Sequence, residues 1–534
     1  MRLLDGDIQQ AKSLVIDGNP ASRSALVAML KEAGVGKVEQ CSKVADARRL
    51  LEARSFDIVL CEYDFPGESM SGQDLIDDLR LAQLLPLSTV VVMLAGEAAH
   101  AQVAEAAEAA LDAYAIRPYT EQALRESLAE ARQRKRVLKP ILDKVQDKQY
   151  AEAAELCQTV YKSRGLGWVH AARIGAELML DLGEAHAATK MLETVLATTA
   201  LPWARMGIAR TQYKAGSLNN ARRTLENLLS EQPGYVDAYD VMGRVLLDQG
   251  DSIGAIEALR RACALSPGSV ARLQKFGVLA FYYGNPADAI DALHWATSIG
   301  LASKAHDMQG VVLLAALQYD RRDTRQLALT QAMMKRVLRD APGSARLNRF
   351  ASVLECLHLL ASGRVQDAAV HVRKMLASAA QPQFDFEAAC NLLMLLARLY
   401  AEDASLGDIE QPMTALAQRF AVSKTACDMM VSAARYQDKL TGPIRLGHAH
   451  INAMTEAAVS LSAEGKPNQA VLELMSQSEQ TLNSKLLDLA AHMLQRHRSA
   501  IPNALQLQER IDALRTRYHS YGTQVRLTRP GEGN

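Results

Sequence analysis

A glycine recurs 33 or 34 residues apart, at Gly183, Gly216, Gly250 and Gly284, and a set of small and apolar residues recurs with it. Seven positions before each stand Ala176, Ala209, Gly243 and Gly277, and five after stand Ala188, Ala221, Ala255 and Ala289. Leu192, Leu225, Leu259 and Leu293 follow at nine positions, then Val195, Leu228, Ala262 and Ala296 at twelve. A period of this length fits one supersecondary unit that cannot bury its apolar face alone and must stack on its neighbours. Small residues let two antiparallel helices approach closely, and the glycine ends the first helix in a left-handed turn. Pro233 and Pro267 close two of the units by stopping the second helix.

The pattern resembles the tetratricopeptide repeat (TPR). Weaker echoes, at Tyr150 with Ala153, Gly363 with Ala368 and Gly465 with Ala470, extend the expected array. Regular units are placed at 148–303 and degenerate ones at 304–515, with a disordered tail at 516–534. In TPR arrays the first helix of each unit lines a groove. By register that implies Arg173 and Glu177, Arg210, Tyr213 and Lys214, Asp237, Asp240 and Arg244, then Gln274, Phe281 and Tyr282. The partner-binding positions among them are Arg173, Arg210, Tyr213, Lys214, Arg244 and Tyr282, a set suited to an acidic peptide.

Residues 1–130 follow another rhythm. β-Branched runs at Ser13–Ile16, Lys37–Gln40, Phe56–Leu60, Thr89–Leu94 and Ala113–Ile116 alternate with helical segments such as Ser22–Glu32 and Glu97–Ala110. Strand and helix alternating five times predict an α/β doubly wound parallel sheet, ahead of an all-α repeat region. In such sheets the site lies beyond the carboxyl ends of the strands. Those ends read Asp17-Gly18-Asn19, Glu62-Tyr63-Asp64-Phe65-Pro66, Ala95-Gly96 and Arg117-Pro118.

This segment resembles a response-regulator receiver domain, in degenerate form. The resemblance implies an acidic pair for magnesium at Asp17 and Gly18, a phosphoacceptor at Glu62, a hydroxyl at Ala95, a lysine at Arg117 and a switch aromatic at Tyr114. Four of these positions carry altered chemistry. Asp17 with Glu62 would hold magnesium weakly, since one carboxylate of the pair is missing. Glu62 extends its carboxylate by one methylene, and in-line transfer is sensitive to displacements of about 1 Å. Ala95 has no hydroxyl, and the planar fork of Arg117 suits pairing with Glu62 itself. A receiver without phosphorylation is therefore expected. A phosphorelay receiver using Glu62 or Asp64 is the alternative, and whether Glu62 imitates a phosphorylated aspartate stays open.

Charge divides the chain. Residues 1–130 hold 21 acids and 12 bases, leaving 39 acids and 48 bases beyond, for a net charge of zero. Such asymmetry permits the two parts to dock on one another. The basic run Arg132, Arg134, Lys135, Arg136 and Lys139 predicts an exposed connecting helix at 131–147; it lacks interleaved aromatics, so nucleic acid is not expected as a partner. Seven cysteines show no metal or redox spacing. No basic leader or membrane span is evident, so a cytoplasmic chain is expected. The expectation is a non-catalytic signalling adaptor that needs no cofactor, with magnesium only if the pocket works. Its partners would be signalling proteins, a histidine kinase or a motility component among them, or a second copy through the receiver.

Overall fold

The computed structural model describes residues 8–96, 112–198, 201–301, 303–403, 409–435 and 437–517. The helix expected at Glu97–Ala110 lies outside the described residues. So does the tail from 518, while residues 516 and 517 close the last described helix.

Five short strands form a parallel sheet: β1 Lys12–Ile16, β2 Lys37–Cys41, β3 Ile58–Glu62, β4 Val90–Ala95 and β5 Ala113–Ile116, in the order β2-β1-β3-β4-β5. Central strands read as continuous apolar runs because both faces are covered; β3 and β4 are buried throughout. Helices α1 Pro20–Glu32, α2 Val44–Ala53, α3 Gly72–Leu81 and α4 Glu121–Gln146 supply the covering layers. Helix α1 starts where the Asn19 side chain accepts the amides of Ala21 and Ser22, with Pro20 in the first turn. Ser71 and Asp74 form a capping box on α3. The register pairs Ile16 with both Cys41 and Cys61, and Glu62 with Leu94, so the ends of β1, β3 and β4 are level. That alignment is what brings Asp17, Glu62 and Arg117 together.

Helix α4 runs without a break through residue 130 to Gln146, so the expected connecting segment continues the receiver's own last helix. Its basic residues are not simply exposed. Lys135 pairs with Asp112 at 2.9 Å and Arg134 donates to the Asp112 carbonyl.

Helical pairs follow: α5 Tyr150–Ser163, α6 Trp168–Asp181, α7 Ala185–Thr198, α8 Pro202–Lys214, α9 Leu218–Glu231, α10 Val236–Asp248, α11 Ser252–Leu265, α12 Val270–Tyr283 and α13 Pro286–Gly300. From α5 to α11 each helix packs on the next, and α6 and α10 also touch α8. Gly183, Gly216 and Gly250 sit at φ of 84°, 74° and 85°, the left-handed conformation the period predicted. Gly363 and Gly465, read as degenerate echoes, adopt it too, at 73° and 81°. The other close-packing point is just as specific: a Cβ at Gly277 would lie 2.6 Å from Leu293 Cγ. Ala188, Ala221, Ala255 and Ala289 are fully buried.

The chain divides into two compact units. One comprises the described residues to Phe276 with Trp295–Asp307. The other comprises Gly277–His294 and the described residues from Met308, with α14 Gln309–Asp320, α15 Thr324–Asp340, α16 Ala345–Ala361, α17 Val365–Ala377, α18 Phe386–Ala401, α19 Glu410–Phe420, α20 Lys424–Ala433, α21 Asp438–Ala463, α22 Pro467–Thr481, α23 Ser484–Arg496 and α24 Ala504–Arg517. In this second unit Arg435 donates to the Phe281 carbonyl at 3.0 Å and covers its ring, while Tyr283 donates to the Thr425 carbonyl at 3.2 Å. Among the described residues no helix is long and apolar enough to cross a membrane.

Candidate functional site

The pocket at the strand ends is built around one guanidinium. Arg117, directly after β5, sends Nη2 to the Glu62 carboxylate, to Asp17 Oδ2 at 3.3 Å and to Ser22 Oγ at 3.2 Å. Ser22 in turn donates to Asp17 Oδ2 at 2.6 Å, and the Asn19 amide donates to Asp17 Oδ1 at 2.7 Å. The other oxygen of Glu62 accepts the Tyr63 amide at 3.0 Å. Burial pushes the Glu62 carboxyl above its ordinary value, and nearby Asp17 adds to this, while Arg117 pulls the other way. Burial alone would lower the Arg117 pKa; the Glu62 charge reverses that and raises it. The three groups form one cluster in which two carboxylates share a single guanidinium.

Magnesium does not fit this arrangement. It demands near-octahedral oxygen ligands, and here a cation already bridges the two carboxylates that would hold it. Gly18 contributes no oxygen-bearing side chain, and no group of three metal-ligating side chains exists among the described residues. Ala95 is fully buried at the end of β4, so the hydroxyl position is an apolar wall. Asp64 is exposed on the loop beyond Glu62. Tyr114, the counterpart of the switch aromatic, is 40% exposed on β5 and is no core tyrosine.

Three of the groove positions pair with acids on the neighbouring helices. Arg210 reaches Glu177 at 3.2 Å, Lys214 reaches Asp181 at 2.5 Å, and the Tyr213 hydroxyl donates to Asp248 at 2.7 Å. These contacts link α8 to α6 and α10. They neutralise cations that the sequence offered to an acidic peptide, because the acids stand one repeat away on the same face. Arg173 lies 5.9 Å from the Trp203 ring centroid, and Arg244 is half-buried on α10. Tyr282 departs from expectation: it is 6% exposed, edge-on to Phe281, because Cys390 of α18 lies against its hydroxyl and Arg435 covers the neighbouring Phe281 ring.

A second polar cluster, unread in the sequence, joins the α/β part to the repeats. Asp78 on α3 accepts Ser269 Oγ at 2.6 Å, the Val270 amide at 2.9 Å and Arg48 Nη2 at 3.0 Å. Ser266 donates to Asp74. Arg272, 1% exposed, binds Asp237 at 2.7 Å and Asp240 at 3.0 Å and comes within 3.8 Å of Asp77 on α3. Glu52 on α2 accepts Ser303 Oγ at 2.6 Å and the Lys304 amide at 3.0 Å. The only available signal was the acid excess of the first 130 residues, which permitted docking but named no residue.

Residues 14–129 match the response regulator receiver domain. Similar curated proteins include chemotaxis protein CheY-3 of Vibrio cholerae serotype O1, 29% identical over 117 residues, which are 22% of this chain and 88% of that protein. Chemotaxis protein CheY of Pseudomonas aeruginosa is 28% identical over 117 residues, 22% of this chain and 92% of that one. Among solved structures, a tetratricopeptide repeat protein from Parabacteroides merdae aligns with 54% of this chain and 99% of its own, at 12% identity and a TM-score of 0.34. The chain thus carries a receiver domain of the two-component signalling type, followed by a region of successively packed helices.

Proposed function

We propose that the receiver is held in one state without phosphate, and that the chain is a non-catalytic adaptor whose helical region binds protein partners in two-component signalling. The observation that carries this reading is the Arg117 guanidinium lying between Glu62 and Asp17. A phosphoryl group on Glu62 would have to displace that ion pair, and no hydroxyl at Ala95 is available to receive it. Catalysis by positioned charge needs its donors aimed at the transferring group, and here they are spent on the protein's own carboxylates. The partners this reading implies are signalling proteins, with a histidine kinase or a motility component as the first to try.

The test is a titration of the full chain with magnesium and beryllofluoride, followed by amide NMR or thermal shift, beside Glu62→Asp and the double variant Glu62→Asp with Arg117→Lys. The expected result is silence in the native chain and saturable binding in the double variant. Saturable binding by the native chain, centred on Asp17 and Glu62, would overturn the reading and make the chain a phosphorylatable response regulator.

A further inference from the structure

Helix α12 begins at Val270, and its first amides have no partner within the helix. The partner the first two find is Asp78 of the receiver: its carboxylate takes the Val270 amide at 2.9 Å and, at 3.5 Å, the Ala271 amide, together with the Ser269 hydroxyl. Asp78 is itself fully buried, so this is a seat with its occupant in place. Asp74, one turn back on α3, takes the Ser266 hydroxyl. Asp77 comes within 3.8 Å of the buried Arg272, which also donates to Ser266 at 3.1 Å. Carboxylates at positions i, i+3 and i+4 of one helix therefore engage two hydroxyls, a helix start and a guanidinium on the repeats. Apolar contact supports the match, since Val270 belongs to the core cluster that contains Leu75, Ile76 and Leu79.

We infer that the loop and first turn leading into α12 form a recognition site for an acidic helix, which the receiver's own α3 occupies and conceals. A partner helix carrying aspartates at the same spacing competes for that seat and binds when α3 withdraws. The proposal is independent of whether the Glu62 pocket takes phosphate. It also explains why Asp78 is sequestered: its carboxylate satisfies repeat groups that would otherwise stand unpaired in a dry contact.

The experiment uses the full chain and a labelled, lactam-bridged peptide of residues 70–83, with a control peptide in which all three aspartates are asparagine. Binding by anisotropy is compared for the native chain, Asp78→Lys, and Asp78→Lys with Arg272→Ala. Hydrogen exchange reports the Val270 and Ala271 amides, and protection of β1 and β3 reports that the receiver is folded. The milder Asp78→Asn replaces Asp78→Lys if that protection is lost. The expected result is faster exchange at Val270 and Ala271 in the Asp78 variant, peptide binding at least tenfold tighter than to the native chain, and its loss with Arg272→Ala or the control peptide. The inference is overturned if the two amides stay protected, if the exposed seat takes no peptide, or if native and variant chains bind equally.

Discussion

Arg117 holds the carboxylate of Glu62 by an ion pair at the end of the parallel sheet, where the longer side chain and the planar guanidinium meet across the carboxyl ends of β3 and β5. Each residue departs from the receiver pattern, and each departure accommodates the other. Glutamate reaches one methylene farther, and arginine presents a fork that contacts Asp17 as well.

Replacing that arginine tests the pair directly. Arg117→Ala leaves Glu62 buried beside Asp17 with no counter-charge, and the expected loss of receiver stability is about 1–3 kcal/mol. The figure falls below that of a fully buried pair because Arg117 is 39% exposed and solvent screens part of the interaction. Thermal unfolding monitored on receiver amides measures it. An unchanged midpoint would mean that water replaces the guanidinium without cost.

The docked face has a pH dependence of definite sign. Burial pushes the Asp77 carboxyl up to about 8, against the pull of Arg272, with Asp237 and Asp74 adding to the rise. The folded chain therefore binds this proton more tightly than the unfolded chain. Its contribution is full below about pH 4, the ordinary value for aspartate, and is lost as pH rises to about 8. Asp77→Asn should leave stability at pH 4 nearly unchanged and raise it at pH 8, since Arg272 keeps Asp237 and Asp240. Melting curves of both proteins across this range give the comparison, and parallel curves would refute it.

Asp78 is the most expensive side chain to remove from the contact. Asp78→Ala uncaps Val270 and leaves the buried Arg48 with Glu52 at 3.9 Å as its remaining carboxylate. A loss of about 3–5 kcal/mol is expected, the usual cost of stranding one member of a buried pair. Urea denaturation followed by hydrogen exchange on α12 should show it, and a change under about 1 kcal/mol would mean the contact relaxes.

The repeat itself supplies a steric prediction. Gly277→Ala places a methyl 2.6 Å from Leu293 Cγ and should destabilise by about 1–3 kcal/mol through overpacking. Gly216→Ala meets no neighbouring atom but forces alanine to φ of 74°, at a cost of about 1–2 kcal/mol. Both are read from the thermal midpoint. Equal tolerance of alanine at Gly277 and at an exposed helical position would refute the packing argument.

Periodicity carried the architecture, because local rules govern it. A left-handed turn needs glycine wherever it falls, a helix crossing needs a small residue, and a doubly covered strand needs an unbroken apolar run. Those constraints act within a few residues, so Gly183, Gly216 and Gly250 announced their turns, and β1 to β5 were legible to within two residues at either end. The pocket's composition was equally plain, since Asp17, Glu62, Ala95 and Arg117 each follow a strand end or occupy one. The tertiary structure alone decided which charges meet. Asp78 and Val270 are 192 positions apart, and nothing in either segment marks the other. Tyr282 reads as a groove residue by register and is buried because Cys390 and Ser432, far along the chain, come to rest against it. Long-range electrostatic pairing depends on where whole helices come to rest, and no spacing along the chain encodes that.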